Sequence, residues 1–112
     1  MNATEQLLRR LADNDEVCLQ AVLASERPDA AVLDRETWAL VRLAALLAVD
    51  AATTSLRWAV DVASAKGLDD VALVQVLLTA ASAVGAAQTV ANAPRLALAL
   101  GLDLEVAGWD GT

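Results

Sequence analysis

Apolar side chains recur every three or four residues along most of this 112-residue chain. That spacing is typical of amphipathic helices and not of strands, in which apolar and polar positions alternate. The pattern predicts six helices, over residues 4–13, 16–25, 34–49, 54–66, 71–84 and 87–100.

The residues at the predicted helix ends support these boundaries. Asp34 is a good N-cap for the third helix, and Asp69 or Asp70 is a good N-cap for the fifth. The fourth helix starts from a turn and cap at residues 50–54, and Gly67 is a natural residue to follow its end. Pro94 is expected to kink the last helix before Gly101 ends it.

The chain is expected to form one helical domain with extensions at both ends. Residues 1–32 form an N-terminal helical extension that ends in a loop over residues 26–32. Residues 33–100 form the main domain, and residues 101–112 form a C-terminal tail. Composition favours an all-α bundle of about six helices, since the 57% hydrophobic content is mostly Ala, Leu and Val and there are few Gly or Pro.

Two segments are too apolar for the surface of a small monomer. Arg42 is the only charge between Trp38 and Val49, and residues 71–84 carry none. Such helices are expected to be buried on more than one side, which a protein of this size achieves best by self-association. A homo-oligomer is therefore expected, and a compact monomer with a rich core is the alternative.

The formal charge of −7 excludes several partners. No basic stripe exists to neutralise phosphates, so nucleic acid and anionic membrane surfaces are not expected to bind. The uncharged run from Val71 to Pro94 is interrupted by six polar side chains and by Gly85, which favours two buried helices over a membrane span. The first residues lack the apolar run of a signal peptide, so a cytoplasmic location is expected.

The chain is poor in reactive side chains. It contains no histidine, and Cys18 is its only cysteine. A disulfide within the chain and a cysteine-based metal site are therefore excluded, and the most common general base is missing. We expect no cofactor and no metal.

A block that starts at Leu33 resembles the carboxymuconolactone decarboxylase family, which includes the alkylhydroperoxidase D-like proteins. The similarity covers about residues 33–100. Its features are the Leu33-Asp34 start, Thr37, Leu40, Val41, Gly67 with the Asp-rich cap after it, Val-Leu-Leu at 76–78, Gly85 and Asn92. The resemblance implies a fold built around a helical hairpin, assembly as trimers or hexamers, and active sites near subunit interfaces.

The chain departs from the reactive pattern of the family. In the peroxidase-like branch, a Cys-x-x-Cys-x-x-x-His pattern lies on the helix that corresponds to residues 54–66. Counting back from Gly67 places the three reactive positions on Ala52, Ser55 and Ala59, so both cysteines and the histidine are missing. Peroxide reduction needs a thiolate and a second thiol, and thiol peroxidase activity is therefore not expected.

Five residues are candidates for ligand binding, and each has a simpler alternative. Ser55 is a first-turn helix residue, Arg57 is placed to pair with Asp61 one turn away, and Trp58 is a bulky packing residue like Trp38. Polar residues of the last two helices are candidates as well, but they fit hydrogen bonds between helices at least as well. The candidates are Ser55, Arg57, Trp58, Gln88 and Asn92.

Three functional hypotheses follow. The leading one is a non-peroxidase, small-molecule-binding or structural homo-oligomer, with a small acidic metabolite as its ligand. The alternative is a cofactor-independent decarboxylase or isomerase in which Arg57 holds a carboxylate and an acidic residue moves a proton. A third hypothesis is an interaction module whose N-terminal helices, residues 4–25, recruit another protein.

Overall fold

The computed structural model describes residues 2–24 and 33–102. These residues form six helices and no strand, which confirms the all-helical prediction, and every predicted helix end lies within one residue of the observed end. The predicted loop at 26–32 and the tail from residue 103 onwards lie outside the described residues. The helices are α1 (Ala3–Ala12), α2 (Glu16–Ala24), α3 (Arg35–Ala48), α4 (Thr53–Ala65), α5 (Asp70–Val84) and α6 (Ala86–Ala99).

The chain divides into two compact units, Met1–Val32 and Leu33–Thr112. In the first unit α1 packs against α2, and Cys18 is buried. Asp15 caps α2 by accepting the Cys18 N–H at 3.0 Å, and its other carboxylate oxygen accepts from Arg10 at 3.2 Å. These two hydrogen bonds, first that from Cys18 and then that from Arg10, hold the pKa of the Asp15 carboxyl below its ordinary value.

The second unit is a bundle of four helices. Its main contacts join α3 to α4 and α5, and join α6 to the same two helices, so the consecutive helices α4 and α5 lie diagonally across the bundle. Every helix contributes leucine to the centre, because its apolar stripe turns inward at a period of 3.6 residues. The fully buried leucines are Leu43, Leu47, Leu56, Leu73 and Leu96.

The helix N-termini of this bundle are capped in two ways. The carboxylate of Asp34 accepts the Thr37 N–H at 2.7 Å, and that of Asp69 accepts the Ala72 N–H at 2.9 Å, which confirms these two predicted caps. The N-cap of α4 is Ala52, which has no side chain able to accept a hydrogen bond. A side-chain cap from the turn at residues 50–54 was expected and is not observed.

Four helices end in the same backbone arrangement. The residue after the C-cap has a positive φ, and the N–H of the next residue bonds to the carbonyl five positions earlier, which is the Schellman motif. Gly67 and Gly101 occupy this position at φ of 87° and 76°, whereas Asn14 and Asp50 adopt φ of 58° and 56°. Of these four, Asp50 is the only charged residue, and its side chain has further contacts that are described below.

One prediction about the bundle is wrong. Arg57 and Asp61 form no ion pair, since the ion pairs of the described residues are Arg10–Asp15 and Arg95–Asp50. Both side chains are exposed on α4, where such a pair contributes little. In the single chain Val41 of α3 is 54% exposed, so burial of α3 on more than one side stays a prediction that depends on self-association.

None of the described helices combines the length and the apolar character that crossing a membrane requires. The longest, α5, has 15 residues, whereas a spanning helix needs about 20.

Candidate functional site

A cleft of about 240 Å³ lies between α3 and α4. Helix α3 contributes Arg42 and Leu46, which are one turn apart, and the start of α4 contributes three residues, Thr54, Ser55 and Trp58. We refer to these five residues as the Arg42 cleft. Two of the predicted candidates, Ser55 and Trp58, are therefore brought together in one cleft.

Two tryptophans and two cations are grouped around this cleft. The Arg42 guanidinium lies 4.6 Å from the ring centre of Trp58 and 5.5 Å from that of Trp38. The Lys66 ammonium lies 5.5 Å from the ring centre of Trp38. Cation–π contacts of this kind contribute about 0.5–1 kcal/mol at exposed sites, enough to hold the Arg42 side chain against the aromatic rings.

No described carboxylate neutralises these cations, because neither Arg42 nor Lys66 takes part in an ion pair of the described residues. Arg42 and Lys66 therefore carry charges that no described carboxylate contacts, in a chain whose formal charge is −7. The positive end of the α4 dipole adds to these charges, since Thr54 and Ser55 belong to the first turn of a helix whose N-cap has no capping side chain. These groups together favour an anion.

The Arg42 cleft contains groups that bind but none that transfers protons near neutral pH. Its polar lining consists of one guanidinium and two hydroxyls, and the remaining lining is apolar or aromatic. In the described part of the chain there is also no group of three or more side chains suited to hold a metal ion. The arrangement fits recognition of a carboxylate or a similar anion.

A second polar cluster ties α6 to the C-terminal end of α3. The fully buried Asn92 donates from Nδ2 to the Leu47 carbonyl at 2.9 Å. Its Oδ1 accepts from Gln88 Nε2 at 2.9 Å, and the same Nε2 lies 3.2 Å from Asp50 Oδ1. The Arg95 guanidinium also donates to Asp50 Oδ1. We refer to these five residues as the Asp50 network.

The Asp50 network satisfies backbone groups that the helix cannot satisfy itself. The Leu47 carbonyl belongs to the last turn of α3, where helix carbonyls lack their usual partners. The Ala51 N–H bonds to the neighbouring Leu46 carbonyl, so the Leu47 carbonyl has no backbone partner there. The amide of Asn92 fills that place from α6. Asp50 adopts a left-handed backbone, which is unfavourable for most L-residues, and its carboxylate is held there by Gln88 and Arg95.

The five predicted candidates thus separate into two groups and one exposed residue. Ser55 and Trp58 line the Arg42 cleft, whereas Gln88 and Asn92 hydrogen-bond within the Asp50 network and do not line the cleft. Arg57 is exposed and does not line the cleft. Hydrogen bonding between helices, the alternative kept for Gln88 and Asn92, accounts for both.

Sequence reasoning missed Arg42 as a site residue. One signal was present, because Arg42 is the only charge between Trp38 and Val49 and lies one helical turn after Trp38. A single charge on an apolar helix is a reason to look for a function of that charge. Its proximity to Trp58, however, depends on how α3 packs against α4.

A third surface feature is an apolar groove of about 350 Å³ between α3 and α5. We refer to it as the α3–α5 groove. Two of its lining residues carry polar groups, Gln75 and Thr79, and none is charged. The lining consists of Leu40, Val41, Ala44, Ala72, Gln75, Val76, Thr79 and Ala80.

Comparisons with protein-family models, with curated proteins and with solved structures gave no match to this chain. Proposals about its function therefore rest on the cleft, the network and the groove described above.

Proposed function

We propose that this chain is a non-peroxidase, small-molecule-binding homo-oligomer that holds a small carboxylated metabolite in the Arg42 cleft. The observation that carries the proposal is the Arg42 guanidinium, which lies over Trp58 at the mouth of a cleft and has no carboxylate partner among the described residues. A guanidinium of this kind can donate two parallel hydrogen bonds to a carboxylate.

The size and lining of the cleft limit the ligand. A volume of about 240 Å³ lies below the range of roughly 300–1,000 Å³ typical of drug-sized ligands. Trp58 and Leu46 offer an apolar contact, and the hydroxyls of Thr54 and Ser55 offer further hydrogen bonds. The best fit is a compact carboxylic acid with a short apolar or aromatic body.

The non-peroxidase part is supported by the residues found where the resembling family has its reactive groups. Of the three positions, Ser55 lines the cleft, Ala59 is buried in the core and Ala52 is the N-cap of α4. None carries a thiol or an imidazole. Cys18 is the only cysteine of the chain and is buried, so it has no second thiol with which to form a disulfide.

The decarboxylase or isomerase alternative requires an acid or base beside the bound carboxylate. The lining of the Arg42 cleft contains neither Asp nor Glu. The Asp50 carboxylate bonds to Gln88 and Arg95 and does not line the cleft. The described residues therefore offer no support for the enzyme alternative.

Intrinsic tryptophan fluorescence provides the test, because Trp58 lies in the cleft. Propionate, butyrate and benzoate are titrated into the full chain, with the corresponding amides as uncharged probes. Hydrogen bonds to charged groups contribute about 1.5–3 kcal/mol, so Arg42→Gln is expected to weaken carboxylate binding by at least about tenfold. The amides are expected to bind weakly to both proteins.

Arg57→Gln is the matched control, since it removes the same charge beside Trp58 from a residue that does not line the cleft. Its affinity is expected to equal that of the unmodified chain. Loss of binding in Arg57→Gln with retention in Arg42→Gln would contradict the proposal, as would the absence of any response up to about 10 mM carboxylate. Peroxide reduction with a dithiol donor that disappears in Cys18→Ser would refute the non-peroxidase part.

A further inference from the structure

The α3–α5 groove has a mainly apolar lining, and helix α5, which forms one of its walls, also carries exposed apolar side chains elsewhere on its surface. Val41, which lines the groove, is 54% exposed, and Val71 and Leu78 on α5 are 69% and 57% exposed. Apolar side chains clustered around a concave surface mark an interaction site more often than a scatter of single exposed residues does.

Charge indicates what covers this surface. None of the eight lining residues is charged, and α5 carries no charge from Val71 to its end at Val84. A chain with a formal charge of −7 repels a second copy of itself across most of its surface. Two copies reduce that repulsion where each presents an uncharged face. A foreign partner of an acidic protein would be selected by charge complementarity, which this groove cannot provide.

We infer that the α3–α5 groove is the surface through which two copies of this chain pack against each other across a two-fold axis. Most homo-oligomers close through such isologous contacts, in which one patch meets the same patch of the partner. Ala44, Ala72 and Ala80 line the groove with small side chains that allow close approach of helices. Gln75 and Thr79 supply hydrogen-bonding groups within an otherwise apolar contact.

This inference rests on the homo-oligomer of the proposed function and restricts it. A two-fold contact produces an even number of copies, which allows a dimer or a hexamer and excludes a simple trimer. The groove shares no lining residue with the Arg42 cleft. Failure of ligand binding and failure of self-association are therefore separate results.

The experiment measures the mass of the full chain in solution by size-exclusion chromatography with light scattering, over a range of protein concentrations. The unmodified chain is expected to have an even multiple of the 11.6 kDa chain mass. Val41→Glu places a charge on each side of the two-fold contact and is expected to raise its dissociation constant by at least about tenfold. Val90→Glu is the matched control, because Val90 is 72% exposed on α6 and does not line the groove.

A second variant and a second condition complete the test. Thr79→Glu charges the opposite wall of the groove at an exposed position, and is expected to reproduce the effect of Val41→Glu with an unchanged circular dichroism spectrum. Raising the NaCl concentration from about 20 mM to about 500 mM screens the repulsion between acidic copies. Self-association through an uncharged groove is therefore expected to stay equal or become tighter, whereas an interface held by ion pairs would weaken.

Several outcomes would overturn the inference. The unmodified chain could be monomeric at every concentration or contain an odd number of copies. Val41→Glu and Thr79→Glu could both fold and still assemble normally. Salt could weaken the self-association of the unmodified chain. Equal loss of assembly in Val90→Glu would also overturn it, because the α6 surface would then take part and the groove would not meet itself.

Discussion

Asn92 offers the sharpest test of the packing, because its side chain is 0% exposed and holds together two helices. Replacing it with Ala removes the only observed side-chain donor to the Leu47 carbonyl. A buried acceptor left without a partner costs about 1–3 kcal/mol, and the lost hydrogen bond from Gln88 adds about 0.5–1.5 kcal/mol. The free energy of unfolding is therefore expected to fall by about 1.5–4.5 kcal/mol.

Such a loss is a large part of the roughly 5–15 kcal/mol that stabilises a typical domain. Urea denaturation followed by circular dichroism measures it, provided that the slope of the transition is unchanged. In a thermal scan, a loss of about 3 kcal/mol corresponds to a fall in Tm of about 10–25 °C for a domain of this size.

Two further variants separate the hydrogen bond from the volume of the side chain. Asn92→Asp keeps the shape but replaces the donor with a carboxylate oxygen facing the Leu47 carbonyl, so at pH 7 it is expected to destabilise at least as much as Asn92→Ala. Gln88→Ala leaves the bond to Leu47 intact and is expected to cost about 1 kcal/mol or less. Asn92→Ala within about 0.5 kcal/mol of the unmodified chain would refute the reasoning and would return Asn92 to the ligand-binding candidates.

Three further predictions concern other parts of the fold. Asp50→Gly relieves the left-handed backbone but loses an exposed ion pair, so the free energy of unfolding is expected to change by less than about 1 kcal/mol. Asp50→Ala loses the same ion pair and keeps the strain, and in urea denaturation it should be about 1 kcal/mol less stable than Asp50→Gly. Equal stability of the two variants would contradict this. The Asp15 pKa is lowered in the folded protein, so its contribution is complete above its unfolded-state pKa and is lost as pH falls through the folded pKa. The protection factor of the Cys18 N–H, which corrects its exchange rate for the intrinsic pH dependence, should therefore fall below about pH 4. Asp15→Asn, which still caps the helix but does not titrate, should show a smaller fall. Leu73→Ala, at a fully buried position, should lower the free energy of unfolding by about 2–5 kcal/mol. The exposed Val90→Ala should lower it by less than about 0.5 kcal/mol. Similar losses in both variants would count against the observed core.

The helix ends were predictable because their signals are local. Asp34 and Asp69 each cap the helix that follows by accepting an N–H three residues ahead. Gly67 adopts the positive φ expected of a residue just past a helix end. These contacts depend only on neighbouring residues, so the sequence contains all the information needed.

Local reasoning was less reliable for contacts between side chains on the surface of one helix. Arg57 and Asp61 have the spacing of a helical ion pair, yet they do not pair. Such exposed pairs contribute only about 0.3–0.5 kcal/mol, which is too little to fix two long side chains. Spacing on a helix therefore allows a contact without requiring it.

The sequence alone determined six helices with their ends and the lack of thiol and imidazole chemistry in the main block. These properties follow from helical periodicity, from capping residues and from the types of side chain present. The tertiary structure alone decided that Arg42 meets Trp58, and that Asn92 reaches a carbonyl 45 residues earlier in the chain. The physical reason is that both contacts depend on which faces of separate helices meet, and that choice is made by packing of the whole core.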